Sequence, residues 1–183
     1  MKGFDDKTAG DDSFCRTAAE QLESAVAAFD IESIDLLTDA ALGTDLVRIR
    51  CAIDRLEAQF ARRVARFDRL NGYAADGTGS MVSWLRQRCR LSASDAVQRL
   101  ELGRRLPEIE GAEPAFRNGE VSYRNATILA RAVEEMGAER VSPVADTLLE
   151  LARTEAPHRL RIRSLRLVRR ACETMHKTPG GGT

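Results

Sequence analysis

The sequence predicts an all-α fold, a single helical domain of about nine helices built around one long helix. Apolar residues recur every three or four positions through most of the chain, which is the spacing of one face of an α-helix. The two-residue alternation that is typical of strands is absent over any useful length. Ser, Gly and Pro interrupt the helical pattern at short intervals, and they predict where each helix begins and ends.

The N-terminal part of the pattern predicts a tail and two helices. Residues 1–12 are rich in Gly and Asp and are expected to be disordered, so that the helical domain covers residues 13–176. The apolar stripe from Phe14 to Phe29 predicts the first helix. A short second helix is expected around Ile31 to Leu42.

A long third helix is expected to form the spine of the fold. Thr44 is a suitable N-cap for it, and Asn71-Gly72 ends it after about Leu70, because both residue types tolerate the left-handed backbone found at helix ends. Its predicted core stripe consists of Leu46, Ile49, Ile53, Leu56, Phe60, Val64, Phe67 and Leu70.

The remaining chain predicts six shorter helices, followed by a Pro- and Gly-rich tail or linker at residues 177–183. The first of the six contains Trp84, the only tryptophan, which is expected to be a core anchor beside Met81 and Leu85. Cap and breaker residues predict these helices, in order, from Ser80 to Arg88, from Ser92 with Asp95 at the capping-box position, from Pro107 to Gly119, from Ser122 to Gly137, from Pro143, and from about His158 to Met175.

Two pairs of these helices have the order of a helix-turn-helix segment. Residues 80–102 and residues 106–133 each contain a short helix, a tight turn and a capped second helix, the arrangement that places a recognition helix in a DNA groove. Any helical bundle contains such pairs, so the order alone does not establish DNA binding. The candidate DNA-contacting residues are Arg86, Arg88, Arg90, Ser94, Gln98 and Arg99 in the first segment, and Tyr123, Arg124, Asn125 and Arg131 in the second.

The formal net charge of zero conceals segregated charge. Residues 1–46 carry 3 basic and 11 acidic side chains, a net −8, and residues 106–150 carry 4 and 9, a net −5. Residues 47–105 carry 13 and 6, a net +7, and residues 151–183 carry 8 and 2, a net +6. The two basic stretches can face a polyanion while the acidic ones face water or cover basic surface.

Arginine supplies nearly all of the positive charge, and two rows of it lie on helix faces. Arg suits bidentate phosphate contacts, although a GC-rich genome also favours Arg. The first row, on the long helix, can touch phosphates or pair with the acidic N-terminal segment. The second row lies opposite Leu165, Val168, Cys172 and Met175 and is either a solvated face or a surface for an anionic partner. The rows are Arg48, Arg55, Arg62 and Arg69, and Arg159, Arg163, Arg166 and Arg170.

No catalytic centre, metal site or cofactor site is expected. His158 and His176 are the only histidines, and they lie about 27 Å apart on a continuous helix, too far to share a metal. No phosphate-binding Gly-rich loop of the Lys-Ser/Thr type occurs. The four cysteines are widely separated and are expected to be reduced. Without a membrane-spanning segment or a signal peptide, the expected location is the cytoplasm.

Four segments of the chain carry a specific ordered set of motifs, and they are Ile53 to Gly77, Ser83-Trp-Leu-Arg, Leu91-Ser-Ala-Ser-Asp-Ala and Gly119-Glu-Val-Ser-Tyr-Arg-Asn-Ala. Together they resemble domain-of-unknown-function family 222, also called the 13E12 repeat family, which is typical of actinobacteria. The likeness covers about residues 20–175. In that family the helical domain commonly precedes an HNH endonuclease module, so the resemblance implies a DNA-associated accessory role. This chain has none of the paired Cys or His-Asn-His residues of such a nuclease, and no catalytic residue carries over.

The sequence therefore predicts a non-catalytic domain that binds or positions nucleic acid, weakly or without sequence preference, and that is associated with or derived from an HNH-endonuclease-like protein. The last helix favours nucleic acid over membrane, because its apolar face lacks aromatic residues. The alternative is a structural or protein-interaction module whose Arg rows engage an acidic partner. A protein partner or a homo-oligomer is compatible with either interpretation.

Overall fold

The computed structural model describes residues 17–176, with side chains through Ala171 and at Glu173. Within that range it contains nine α-helices and no strand, which confirms the all-α prediction. The predicted tails at residues 1–12 and 177–183 lie outside the described residues. None of the described helices is both long and apolar enough to traverse a bilayer.

The chain divides into two compact units after Thr44, a division that the predicted single domain did not include. The first unit contains helix α1 (Ala18–Asp30) and a 3-10 turn (Ile34–Leu36). Thr17 caps α1 through a reciprocal capping box with Glu20. No residue of α1 is buried.

The long helix α2 (Asp39–Arg69) begins earlier than predicted. The expected helix from Ile31 to Leu42 is wrong, because only a 3-10 turn and the start of α2 occur there. The Thr38 hydroxyl accepts the Ala41 N–H at 3.3 Å and supplies the cap. Thr44, the predicted cap, lies inside the helix, and its hydroxyl donates to the Ala40 carbonyl at 2.9 Å.

The second unit continues through seven further helices. The serine caps at positions 80, 92 and 122 are confirmed, each accepting a backbone N–H three residues on. Pro107 and Pro143 lie in 3-10 turns rather than in α-helices, so that α5 begins after Gly111. The helices are α3 (Met81–Arg88), α4 (Ala93–Arg105), α5 (Ala112–Asn118), α6 (Tyr123–Met136), α7 (Ala138–Val141), α8 (Ala145–Thr154) and α9 (Pro157–His176).

Helix α6 lies at the centre of the main hydrophobic core. Its Ala126 and Leu129 are fully buried, together with Leu148 of α8 and Leu160 of α9. A second cluster joins the C-terminal half of α2 to α3 and α4. Its buried members are Val64, Met81, Leu85, Ala96 and Leu100.

Trp84 lies at the edge of the second cluster and is half-buried rather than a central anchor. Its ring contacts that of Phe67, with the centroids 4.8 Å apart and the planes tilted by 54°. Its indole N–H donates to Asp76 Oδ2 at 2.7 Å, and this bond keeps the polar edge of the ring near solvent.

Helix α2 packs its predicted apolar stripe into the second cluster only at Phe60, Val64 and Phe67, and its other buried residues lie on a different face. Its buried residues are small, apart from one carboxylate and one valine, and they are Asp54, Ala58, Ala61, Val64 and Ala65. Gly103 of α4 explains why small residues are buried here, because a Cβ at that position would lie 2.3 Å from the Ala61 carbonyl oxygen. Alanine and glycine allow the two helices to approach closely, which larger side chains would prevent.

Candidate nucleic-acid interface

Helix α9 buries one side and presents a row of arginines on another. Leu160, Ser164 and Val168 are spaced four residues apart and are all buried, so they define the inward face. The Ser164 hydroxyl is satisfied by donating to the Arg161 carbonyl at 3.1 Å. The predicted opposite stripe is correct at Val168, which is buried, and at Leu165, which is half-buried. The side chains of its other two members lie outside the described residues.

The four predicted arginines of α9 are exposed along the outer side of the helix. Arg163 pairs with Glu155, at the junction of α8 and α9. Within the described residues, Arg159, Arg166 and Arg170 form no ion pair. Three positive charges on one helix face are therefore available to an external anion.

A cleft of about 330 Å³ opens between α6 and α9, and α4 contributes to its wall. Ile128, Ala132 and Leu165 give it apolar surface. Its polar lining joins residues from the two predicted helix-turn-helix segments with residues from α9, and consists of Gln98, Tyr123, Arg124, Thr127, Arg131, Glu135, His158, Arg161 and Ser164. Four predicted candidates thus meet at one site, namely Gln98, Tyr123, Arg124 and Arg131.

The cleft has a positive rim. Arg131 is neutralised by Glu135, whose Oε1 lies 2.6 Å from its Nε. Arg124 and Arg161 are exposed and, within the described part of the chain, have no carboxylate partner. Arg161 was not among the predicted residues, although it follows the cleft residue His158 by three positions, a spacing that places both on one helix face.

Arg99 is an interior bridge rather than an exposed contact. Its Nε and Nη2 donate to the two Glu57 oxygens at 3.1 and 2.7 Å, and its side chain is only 15% exposed. Its guanidinium carbon lies 5.1 Å from the centre of the Tyr123 ring. Burial raises the pKa of the Tyr123 hydroxyl. Because Arg99 joins α2, α4 and α6, it does not belong to the exposed candidate set.

Asn125 is likewise a structural residue and not a surface contact. It is 5% exposed, and its amide donates to the carbonyls of Ala152 and Glu155 at 2.8 and 2.9 Å. These carbonyls end α8 and would otherwise be unpaired. An asparagine in the first turn of a helix looks solvent-facing in the sequence, but here it turns inward and joins α6 to α8.

The first predicted segment contains α3, a four-residue turn and α4, in the predicted order. Arg90 in the turn has a left-handed backbone with φ of 56°. Arg88 pairs with Asp76 at 3.3 Å, and Ser94 shares a hydrogen bond of 2.9 Å with the capping Ser92. Arg86, Arg90, Ser94 and Gln98 are all exposed.

The arginine row on α2 is partly engaged within the protein. Arg62 Nε lies 2.7 Å from Glu113 of α5, and Arg48 lies 4.0 Å from Asp45 on its own helix. Arg55 and Arg69 are exposed. Arg62 therefore has a carboxylate partner within the second unit.

The described residues contain no group of three His, Cys, Asp or Glu side chains arranged to hold a metal ion. Cys51 and Cys89 are free, half-buried thiols, and burial raises the pKa of Cys89. Comparison with known proteins found no family model that matches the chain, and no curated protein or solved structure that matches it.

Proposed function

We propose that this chain is a non-catalytic helical domain that binds or positions DNA, and that it is a member of family 222 associated with an HNH-endonuclease-like protein. The observation that supports this most directly is the outer face of α9. There Arg159, Arg166 and Arg170 project from one helix without a carboxylate partner among the described residues. Across the neighbouring cleft, Arg124 and Arg161 add two further positive groups.

The chemistry of this surface suits phosphate rather than base recognition. Arginine offers a planar fork of donors that matches phosphate oxygens, and each neutralised phosphate releases condensed counterions. Of the residues expected to read bases, Arg99 and Asn125 make interior contacts instead. Weak binding with little sequence preference is therefore the mode we expect, with Gln98 and Ser94 as the remaining candidates for base contacts.

A salt series of fluorescence anisotropy measurements tests the proposal. Replacing the four α9 arginines with Gln should lower the affinity for unrelated duplexes to a similar degree. It should also flatten the dependence of log K on log salt by up to about 0.9 per lost contact. The variant carries Arg159→Gln, Arg163→Gln, Arg166→Gln and Arg170→Gln.

A matched control removes the same number of charges elsewhere, at exposed arginines of α2, α5 and α7. If the control loses as much affinity as the α9 variant, net charge and not the α9 face governs binding. The control variant carries Arg63→Gln, Arg66→Gln, Arg117→Gln and Arg140→Gln.

The competing function is a structural or protein-interaction module. Several arginines already pair with carboxylates of this protein. These pairs favour the protein-interaction function, because the guanidinium groups in them bind protein carboxylates and not an external phosphate. Arg62 pairs with Glu113 and Arg99 with Glu57. Absence of binding at low salt, or an affinity unchanged by the four α9 replacements, would support this second function instead.

A further inference from the structure

The cleft between α6 and α9 has two ends of different character, because both helices begin at the same end of it. The Asn125 amide, in the first turn of α6, donates to the Glu155 carbonyl at 2.9 Å. Glu155 lies two residues before Pro157, where α9 begins. Cleft residues that come early in either helix therefore lie near this shared end, and residues one or two turns later lie further along the cleft.

The shared end of the cleft is cationic. Arg124 and Arg161 lie within the first two turns of their helices, are exposed, and have no carboxylate partner in the part of the chain that the structure describes. His158 lines the same end. The carboxylate in the lining belongs to Glu135, which lies about 16 Å further along α6 and is paired with Arg131. An anionic group that enters the cleft is therefore attracted to the shared end.

One turn further along each helix the lining becomes apolar. Ile128 follows Arg124 by four residues, and Leu165 follows Arg161 by four, which is a step of about 6 Å along each helix axis. Ala132, one turn beyond Ile128, continues this surface with a small side chain. Both walls of the cleft thus have the same order, a guanidinium group and then an aliphatic side chain.

Helix α4 adds a hydrogen-bonding group to the cleft. Gln98 is exposed in the lining, and its amide has no partner among the residues that the structure describes. A side-chain amide offers both donors and an acceptor, and so does the edge of a nucleic-acid base. The whole cleft measures about 330 Å³, at the lower end of the roughly 300–1,000 Å³ of ligand-binding clefts, so its occupant is small.

We propose that this cleft binds one unpaired nucleotide of a DNA strand, an inference that rests on the DNA-binding function proposed above. The phosphate lies between Arg124 and Arg161, the base lies against Ile128 and Leu165, and Gln98 contacts the edge of the base. A base within an intact duplex is stacked on both faces and paired at its edge, so it cannot lie on this surface. The nucleotide therefore comes from a single-stranded end or a gap.

Fluorescence anisotropy with two DNAs tests the proposal. One is a duplex with a single-stranded extension of about four nucleotides, and the other has the same extension built from abasic units, which keep the phosphates and lack the bases. The parent chain should bind the first DNA about three- to tenfold more tightly, the effect of moving part of one base out of water. Equal affinities would overturn the cleft proposal, while binding to both DNAs would leave the proposed DNA-binding function standing.

Substitutions in the cleft locate the preference for bases. Leu165→Ala removes apolar surface and Gln98→Ala removes the amide, and each should reduce the ratio of the two affinities. Gln98 is exposed, so its replacement tests the cleft even if Leu165→Ala unfolds the protein. Gln87→Ala is the matched control, because Gln87 is exposed on α3 outside the cleft, and it should leave the ratio unchanged. A ratio that survives both cleft variants, or that falls in the control, would overturn the assignment.

A mononucleotide tests the cleft without the rest of the DNA. Deoxyadenosine monophosphate, titrated into the labelled chain, should shift amide NMR signals in the first turns of α6 and α9, with a Kd on the order of a millimolar. Deoxyadenosine, which lacks the phosphate, should shift them less, and the double variant Arg124→Gln and Arg161→Gln should not respond. If the chain bound no DNA at low salt, the proposed function would fail, and these shifts would assign the cleft to free nucleotides. No shift at the cleft would overturn the nucleotide site itself.

Discussion

The carboxylate of Asp54 on α2 accepts the backbone N–H of Tyr123, the first residue of α6, at 2.8 Å across 69 residues of sequence. The first N–H groups of a helix have no partner within the helix, and a negative charge there also interacts favourably with the helix dipole. Asp54 is 6% exposed, and its other oxygen contacts Arg50. One buried carboxylate thus joins α2 to the helix at the centre of the core.

Asp54→Ala should destabilise the protein by about 2–3 kcal/mol, because it leaves the Tyr123 N–H unpaired in a part-buried place and Arg50 without its partner. Urea denaturation followed by circular dichroism measures the loss. Asp45→Ala is the control, because Asp45 faces an Arg48 side chain that is 78% exposed at 4.0 Å, and such a pair contributes about 0–1 kcal/mol. Equal losses in the two variants would show that Asp54 is not a special anchor.

Two helical glycines should respond in opposite directions to the same substitution. Gly103→Ala should cost about 1–3 kcal/mol or more, since the new Cβ would lie 2.3 Å from the Ala61 carbonyl oxygen and 2.9 Å from the Ala65 Cβ. Gly43→Ala should stabilise by about 0.5–1 kcal/mol, because nothing lies within 4 Å of that position in α2 and Ala is the better helix former. Thermal unfolding compares them, and a neutral Gly103→Ala would mean that α2 and α4 do not approach so closely.

Glu101 should stabilise the protein less as pH rises, whereas most carboxylates in folded proteins stabilise it more. Burial raises its pKa, and the nearby Glu134 raises it further, against the effect of Arg104 and Arg105. The folded state therefore favours the protonated form, and the contribution of Glu101 declines as pH rises above the unfolded value of about 4.3 and through the folded pKa. The melting temperature of Glu101→Gln minus that of the parent should become more positive from pH 4 to pH 7.

Glu120 provides the control of opposite sign for that experiment. Hydrogen bonds from Asn118 and then Arg153 lower the pKa of Glu120, so its contribution is present above the unfolded pKa and is lost as pH falls through the folded one. The melting temperature of Glu120→Gln minus that of the parent should therefore become more negative as pH rises. Parallel trends in the two variants would contradict the raised pKa of Glu101.

Local chemistry made the fold class and several helix starts predictable from the sequence. The three serine caps depend on a side chain that accepts an N–H only three residues away, so no distant contact decides them. The end of α2 was predictable for the same reason, since Asn71 has the left-handed backbone expected there. These signals lie within a few residues of the structure that they specify.

Long-range contacts decide what the sequence left open. As polar residues, Arg99 and Asn125 were expected to face solvent. Each instead binds an interior partner that is distant in sequence, since Glu57 lies 42 residues from Arg99 and Ala152 lies 27 residues from Asn125. The buried face of α2 was also unpredictable, because the glycine that allows alanines to pack there is on α4. In each case the partner is distant in sequence, and no local pattern identifies it.

Arg124 and Asn125 are neighbours on α6 and should separate DNA binding from stability. Asn125→Ala removes the donor for two carbonyls at the end of α8 and should cost about 2–3 kcal/mol in stability, while the folded variant keeps the DNA affinity of the parent. Arg124→Gln should change stability by no more than about 0.5 kcal/mol, because the side chain is exposed at the cleft. It should, however, weaken DNA binding and reduce the slope of log K against log salt by about 0.9, the effect of one lost phosphate contact.

Denaturant unfolding and anisotropy at several salt concentrations, applied to both variants, measure stability and DNA affinity separately. If instead Asn125→Ala weakened binding while its unfolding matched the parent, Asn125 would be a DNA contact, and the inward hydrogen bonds would not describe its role.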